Sequence, residues 1–356
     1  MGQYIARRTL LAIPVLFGIL FVTFALARLI PGDPCRAVLG ERATDEICDA
    51  FMERYGLNEP IPIQFGVYLK QLLNMDLGES IRYGRPVTDI VVERLPVTIE
   101  LALSAMLFAT FFGIIFGVIS AYWHNSSIDV STMIGANIGV SIPVFVLGLL
   151  LQYIFALVLK DTFLQLPPSG RMTPGMSNPP FYEFWGVTVD DNSNFLVFLS
   201  NFNLLNALLA LNIEAFWDAF KHMILPAIAV GTIPLAIIAR ITRSSLLEVL
   251  SLDYVRTARA KGLAEMRVVF RHSLSNALLP VVTIVGLQLG FLLAGAILTE
   301  TIFNLAGLGR TLYDAITARD YVIVQGFTLI VAISFVFINL IVDISYAFLD
   351  PRIRLS

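Results

Sequence analysis

The sequence predicts an all-α membrane protein with six transmembrane helices, and three observations carry that prediction. Of 356 residues, 57% are hydrophobic and only 14% are charged, against about 25% charged in an ordinary soluble domain. Six stretches stay free of charge long enough to cross a hydrocarbon core of about 30 Å, which takes about 20 helical residues. The basic residues, in turn, gather in alternate segments between those stretches. A net charge of −3 gives no reason to expect nucleic acid as a partner.

The first apolar stretch, Thr9 to Ala27, follows Arg7 and Arg8 and ends in Ala25-Leu26-Ala27. That pattern also describes a signal peptide, but a run of 19 residues is longer than the usual signal core, so it is expected to stay as a span. The second and third stretches are Leu101 to Ala121 and Thr132 to Leu159. The fourth, Met223 to Ala239, is short, and Arg240 and Arg243 extend it by snorkelling to the interface. Ser273 to Thr299 and Tyr321 to Val342 complete the set. Phe195 to Leu211 is also apolar but is interrupted by Ser200, Asn201, Asn203 and Asn206, and is expected to lie as a helix on the membrane surface.

Charge sets the orientation. Arg7 and Arg8 precede span one, Arg352 and Arg354 follow span six, and Arg243 to Asn276 holds six positive residues against three acids. Lys and Arg resist translocation, so both termini and this loop are expected in the cytoplasm. Pro31 to Pro96 has seven positive residues against eleven acids, and Lys160 to Lys221 three against six, as expected outside. The chain then divides into the N-terminus with span one (1–30), an extracytoplasmic region (31–96), and spans two and three (97–159). A second extracytoplasmic region (160–222), span four (223–243) and a cytoplasmic loop (244–276) come next. Span five (277–299), an extracytoplasmic loop (300–320), and span six with the C-terminal tail (321–356) complete it. Cys35 and Cys48, the only cysteines, both fall in the first outside region. They can pair, closing a loop worth about 3 kcal/mol by chain entropy, or remain two buried thiols; the sequence leaves both open.

Small residues one turn apart recur as Gly113 and Gly117, Gly135 and Gly139, and Gly286 and Gly290, which lets helices approach closely. Pro143, Pro226 and Pro234 permit bends. Ionisable groups near the spans are few (Glu100, Arg240, Glu300 and Asp343), and each is expected at an interface or in a pair, with Asp343 the strongest candidate for more. A proton- or ion-coupled secondary carrier is therefore disfavoured. Catalytic residues are not expected: there is no G-x-x-x-x-G-K-[ST] and no H-E-x-x-H, and His124, His222 and His272 lie far apart. No metal site follows from them. Ser141, after Gly139-Val140, reads as a hydroxyl in a bent helix.

The cytoplasmic loop is more specific. In Ser251-Leu-Asp-Tyr-Val-Arg-Thr-Ala-Arg-Ala-Lys-Gly262, Asp253 suits an N-cap and Gly262 the left-handed position after a helix. The eight residues between them span about 12 Å. Tyr254, Thr257, Ala258 and Lys261 share a face at helical spacing, slim enough to enter a groove. Beyond it, Leu263, Met266, Phe270, Leu274 and Ala277 predict an amphipathic helix along the membrane before span five. A basic loop held only by anionic lipid would need the charge but neither the caps nor the slim face.

Tyr254 to Leu263 (Y-V-R-T-A-R-A-K-G-L) and Arg271 to Pro280 (R-H-S-L-S-N-A-L-L-P) resemble the permease of binding-protein-dependent ABC importers for dipeptides and oligopeptides. So do Ile30 to Pro34, Asp76 to Gly78, Arg94 to Pro96, Glu300 to Phe303, Gly307 to Arg310, Arg319 to Tyr321 and Gln325-Gly326. Arg256-Thr-Ala258 stands where the general importer signature has E-A-A, and Ser275, Ala306 and Val322 replace prolines. The resemblance implies a type I ABC importer permease fold in a prokaryotic inner membrane. It also implies that Asp253, Tyr254, Val255, Arg256, Thr257, Ala258, Arg259, Ala260, Lys261, Gly262 and Leu263 form a coupling helix docked on an ATPase. By the same resemblance, the chain carries no cofactor, while two separate ATP-binding subunits bind ATP and Mg²⁺. A second homologous permease, an extracytoplasmic solute-binding protein and membrane lipid are the other partners. Importers of nickel, glutathione or oligosaccharide resemble the same family, so the cargo is less determined than the machine.

Overall fold

A computed structural model describes residues 2–29, 35–36, 40, 42–54, 56–189 and 195–349. The motif at 30–34 and the basic tail with Arg352 and Arg354 lie outside the described residues. Among the described residues the structure is helical, with a single β-bridge between Glu79 and Pro86.

The order is α1 (Gly2–Leu29), α2 (Asp45–Arg54), α3 (Ile61–Leu73), α4 (Val87–Tyr122), α5 (Ser127–Ser141) and α6 (Val144–Gln152), the last continued by a π turn, Tyr153–Val158. Next come α7 (Phe181–Phe184), α8 (Phe195–Ser200), α9 (Asn203–Leu209), α10 (Ile213–Leu250) and α11 (Asp253–Ala260). A turn of helix, α12 (Glu265–Arg267), passes through a π segment, Val268–Ser273, into α13 (Leu274–Gly295). The chain ends with α14 (Ile297–Ile302), α15 (Leu308–Thr317) and α16 (Tyr321–Leu349).

Among the described residues, five helical segments are long and apolar enough to span a membrane: Tyr4–Leu26, Val87–Tyr122, Ile213–Leu250, Glu265–Leu293 and Tyr321–Ile344. Helix α5 and α6 with its π turn meet at 100° and make a sixth, broken span if the pair crosses as one. The expected bend at Pro143 is there: Ile142 is extended, and Pro143 stands at the N-cap of α6, outside the helical hydrogen bonding, where its missing N–H costs nothing. Pro226 and Pro234, in contrast, lie inside one unbroken helix of 38 residues. The expected surface helix at Phe195 to Leu211 is two short helices, α8 and α9, broken near Asn201, whose amide donates to Val92 O at 3.2 Å.

The centre is the crossing of α4 and α10. A Cβ on Gly117 would lie 2.7 Å from Ala239 O, one on Gly113 3.0 Å from Leu235 O, and one on Gly231 2.8 Å from Ala105 O. The two backbones therefore touch. Gly139 instead makes room for the Thr232 side chain, and Gly286 and Gly290 of α13 for the side chains of Val342 and Phe335 of α16. Gly135 is the exception, with open space around it.

Polar links gather at two opposite ends of the bundle. At one end Arg8 pairs with Asp343 at 3.0 Å, and Arg243 grips Asp129 with two bonds of 2.8 and 2.7 Å, with Ser120 donating to the same carboxylate. At the other end Asp320 accepts from Ser80 Oγ at 2.6 Å, and Glu100 accepts from Arg171 at 2.9 Å and from Leu204 N at 2.7 Å. Glu300 there accepts from Thr98 Oγ1 at 2.6 Å and Arg310 N at 2.8 Å. Every deep carboxylate named from the sequence, Asp343 included, therefore has a partner. Cys35 and Cys48 are joined by a disulfide.

Candidate functional site

The site is built where α10 ends. Ser251 turns its hydroxyl back to Glu248 O at 2.7 Å, and Leu252 becomes extended and stands at the cap of α11. Asp253 is therefore the first helical residue rather than the expected N-cap. Its carboxylate meets Arg256 at 3.4 Å and still favours the positive end of the helix dipole.

The far end of α11 follows the sequence. Gly262 adopts φ +77°; its N–H donates to Arg259 O at 2.9 Å, and that of Leu263 to Ala258 O at 3.4 Å. These two bonds are a Schellman motif. Its usual apolar contact is present, because Leu263 packs with Val255, Ala258 and Val268.

That closure changes the expected face. Val255 and Ala258 are buried, against Val268, so Ala258 points inward rather than lying beside Tyr254, Thr257 and Lys261. Tyr254, Arg256, Thr257, Ala260 and Lys261 remain exposed. Spacing within one short helix could not show which side would meet Val268.

Two braces tie α11 to the start of span five. The Tyr254 hydroxyl accepts from Asn276 Nδ2 at 2.8 Å and donates to His272 O at 3.3 Å. Arg259 reaches Glu265 at 2.7 Å, a bond that raises the Arg259 pKa above its ordinary value. Asn276 and His272 carry no sequence signal for this role, and Glu265 offered only its nearness to Gly262. The segment after Gly262 also differs from expectation. It is not a helix separate from span five. Met266 and Phe270 are exposed, Val268, Val269, Ser273 and Ala277 are buried, and the helix runs on into span five. The wide π turn shifts the inward stripe, and Ser273 Oγ donates to Val268 O at 3.0 Å there.

On the opposite side of the bundle's middle, Pro143, Val144, Pro234, Gln288 and Phe291 line a cavity of about 440 Å³. Among the described residues no cluster of His, Cys, Asp and Glu could hold a metal ion. Ser141 donates to Asn137 O at 3.2 Å, the back-bond of a helical hydroxyl.

The structure is thus a bundle of bent and crossing helices with a short helix braced at one end. The chain belongs to the binding-protein-dependent transport system inner membrane component family, which it matches over residues 113–355, with that family's N-terminal part matched over residues 1–102. It is thus a multi-pass inner-membrane protein. Among curated proteins it is 46% identical to the dipeptide transport system permease protein of Alkalihalophilus pseudofirmus, over 99% of this chain and 100% of that one. It is 46% identical to the di/tripeptide transport system permease protein of Pseudomonas aeruginosa, over 99% of both. The dipeptide permease protein of Escherichia coli K12 is 44% identical, again over 99% of both.

Proposed function

We propose that this chain is one permease subunit of an ATP-driven importer of dipeptides and short peptides, and that Asp253 to Leu263 couples it to an ATPase. The observation that carries this reading is the construction of α11. It is closed at its C-terminus, bare on its outer face, and locked on its inner face to the first turns of span five. A helix that served only to cross the loop would need neither the Schellman closure nor two braces. A push on the outer face passes through Val255 and Ala258 to Val268, and through Tyr254 to Asn276, and so moves the cytoplasmic start of α13.

Orientation follows the same logic. The loop carrying α11 is basic, and the Cys35–Cys48 disulfide, on the far side, belongs in an oxidising compartment. The α11 face is the cytoplasmic one, and both termini share it. In this reading ATP and Mg²⁺ sit on two partner ATPases, a second permease supplies the other half of the pathway, and a solute-binding protein delivers cargo outside. The peptide cargo rests on full-length likeness to dipeptide and di/tripeptide permeases; nickel, glutathione and oligosaccharide are the alternatives.

The test is uptake into proteoliposomes carrying the full complex. Labelled dipeptide should accumulate only with ATP inside the ATPase-bearing compartment, and Lys261→Glu should weaken recovery of the ATPases without lowering permease yield. Uptake without nucleotide would instead indicate a secondary carrier. Undiminished ATPase recovery from Lys261→Glu, Arg256→Glu and Tyr254→Ala alike would overturn the coupling role.

A further inference from the structure

Between the outer end of α1, α3 and the start of α16 lies a cavity of about 300 Å³. Three side-chain nitrogens and oxygens that line it, Arg28 Nη1, Tyr68 Oη and Gln325 Nε2, are buried and have no hydrogen-bond partner among the described residues. Tyr68 is 7% exposed and Gln325 4%. All three are donors, and buried donors are rarely left unmade. The guanidinium is held in place from its other side: Nε donates to Gln64 Oε1 at 2.9 Å, and the group stacks 4.5 Å from the centre of the Phe24 ring. Gln64 has nothing further to donate, because its amide already reaches Leu57 O and Glu59 O at 3.2 and 2.7 Å. At the rim Arg54 and Glu79 pair at 3.7 Å and offset each other. Burial pushes the Tyr68 hydroxyl up to about 12, so it keeps its proton for donation at any physiological pH.

The depth of the cavity identifies what comes to it. The Phe65 ring of α3 lies 5.9, 5.7 and 5.1 Å from those of Phe17, Phe21 and Phe24, all within the apolar part of α1. Phe17 is nine residues before the end of that part at Leu26, about 13 Å along the helix. Helix α3 therefore folds back beside the outer turns of span one, and Arg28, just beyond the apolar part that ends at Leu26, sets the cavity at its outer edge, the level of a headgroup boundary. Ile63 and Val67, on the cavity wall, are half exposed and continue it toward hydrocarbon. An arginine beside a tyrosine at this level is suited to a phosphate.

We propose that this cavity binds the phosphate of a phospholipid in the leaflet opposite α11, its oxygens accepting from Arg28, Tyr68 and Gln325 while an acyl chain leaves over Ile63 and Val67. A free phosphate ion would satisfy the same donors but would leave the apolar wall uncovered.

The test uses the full complex in lipid nanodiscs and in delipidated detergent. Native mass spectrometry with phosphatidylglycerol as the probe should find a retained phospholipid. Tyr68→Phe, Gln325→Leu and Arg28→Gln should each weaken retention about tenfold, the size of one lost bond to a charged group. Tyr68→Phe removes an oxygen that no described residue engages. Its melting temperature should therefore match or exceed wild type in delipidated detergent and fall below it in phosphatidylglycerol. Wild-type retention in all three variants would overturn the proposal, as would absence of retained lipid from the wild type. Millimolar inorganic phosphate displacing the lipid in full would overturn it too, in favour of a free-anion site.

Discussion

Gly262 stands at φ +77° with nothing within 4 Å of where a Cβ would be, so any cost of replacing it is conformational and not steric. Gly262→Val should cost roughly 1–2 kcal/mol locally, loosening the Schellman closure while leaving insertion intact. The expected outcome is more ATP hydrolysed per peptide imported, with Gly262→Asn close to wild type because asparagine tolerates that region. Wild-type stoichiometry in the valine variant would argue against a rigid turn. Asp129 is a second decisive residue: buried and held bidentately by Arg243, it leaves an unpaired charge when either partner is truncated. Asp129→Ala should destabilise by about 3 kcal/mol, visible as a lower melting temperature, and the double variant lacking both charges should recover part of that loss. The two residues differ in how readable they were. Gly262 could be assigned from sequence, since a glycine after a basic helix end has few other uses, whereas the Asp129–Arg243 pair joins residues 114 apart and leaves no local trace. Asp253 shows the intermediate case, because an acid is favoured both at a cap and in a first turn, and only the extended backbone of Leu252 decides between them.

At the level of helices, packing separates glycines that the sequence treats alike. Gly117→Ala forces its Cβ against Ala239 O and the Thr242 side chain, so α4 and α10 must part, at about 1–3 kcal/mol. Gly135→Ala meets open space and should be neutral or stabilising by about 0.5–1 kcal/mol, because alanine is the better helix former. Thermal unfolding in one detergent measures both, and equal losses would refute the close crossing of α4 and α10. The long α10 makes the complementary point. Its apolar centre was plain, but its last turns through Leu250 were hidden by Arg240 and Arg243, which read as an end and prove to lie inside the helix. The register of the segment after Gly262 was likewise unreadable, since a π turn rotates the inward stripe and hydrophobic spacing assumes an unbroken period.

Over the whole molecule, hydropathy found every helix long and apolar enough to cross a membrane among the described residues, five of them and a sixth if the bent pair α5 and α6 crosses as one, because in a bilayer only an apolar helix can satisfy its backbone. Both cysteines are consumed by the Cys35–Cys48 disulfide, so a single introduced cysteine is the sole free thiol. With α11 on the cytoplasmic face, Thr257→Cys should react with a membrane-impermeant maleimide only in inside-out vesicles, and Tyr83→Cys only in intact spheroplasts. The reverse pattern would invert the protein and remove the ATPase from α11.

The corner at Ile142 and Pro143 carries a last implication. Fifteen residues of α5 reach only about 22 Å, less than one bilayer core, so the chain turns while still surrounded by hydrocarbon. Ser141, Pro143 and Phe145 are uncovered there, and irregular backbone does not face lipid tails at such depth. A span crossing there needs water or protein, and not lipid tails, against that elbow.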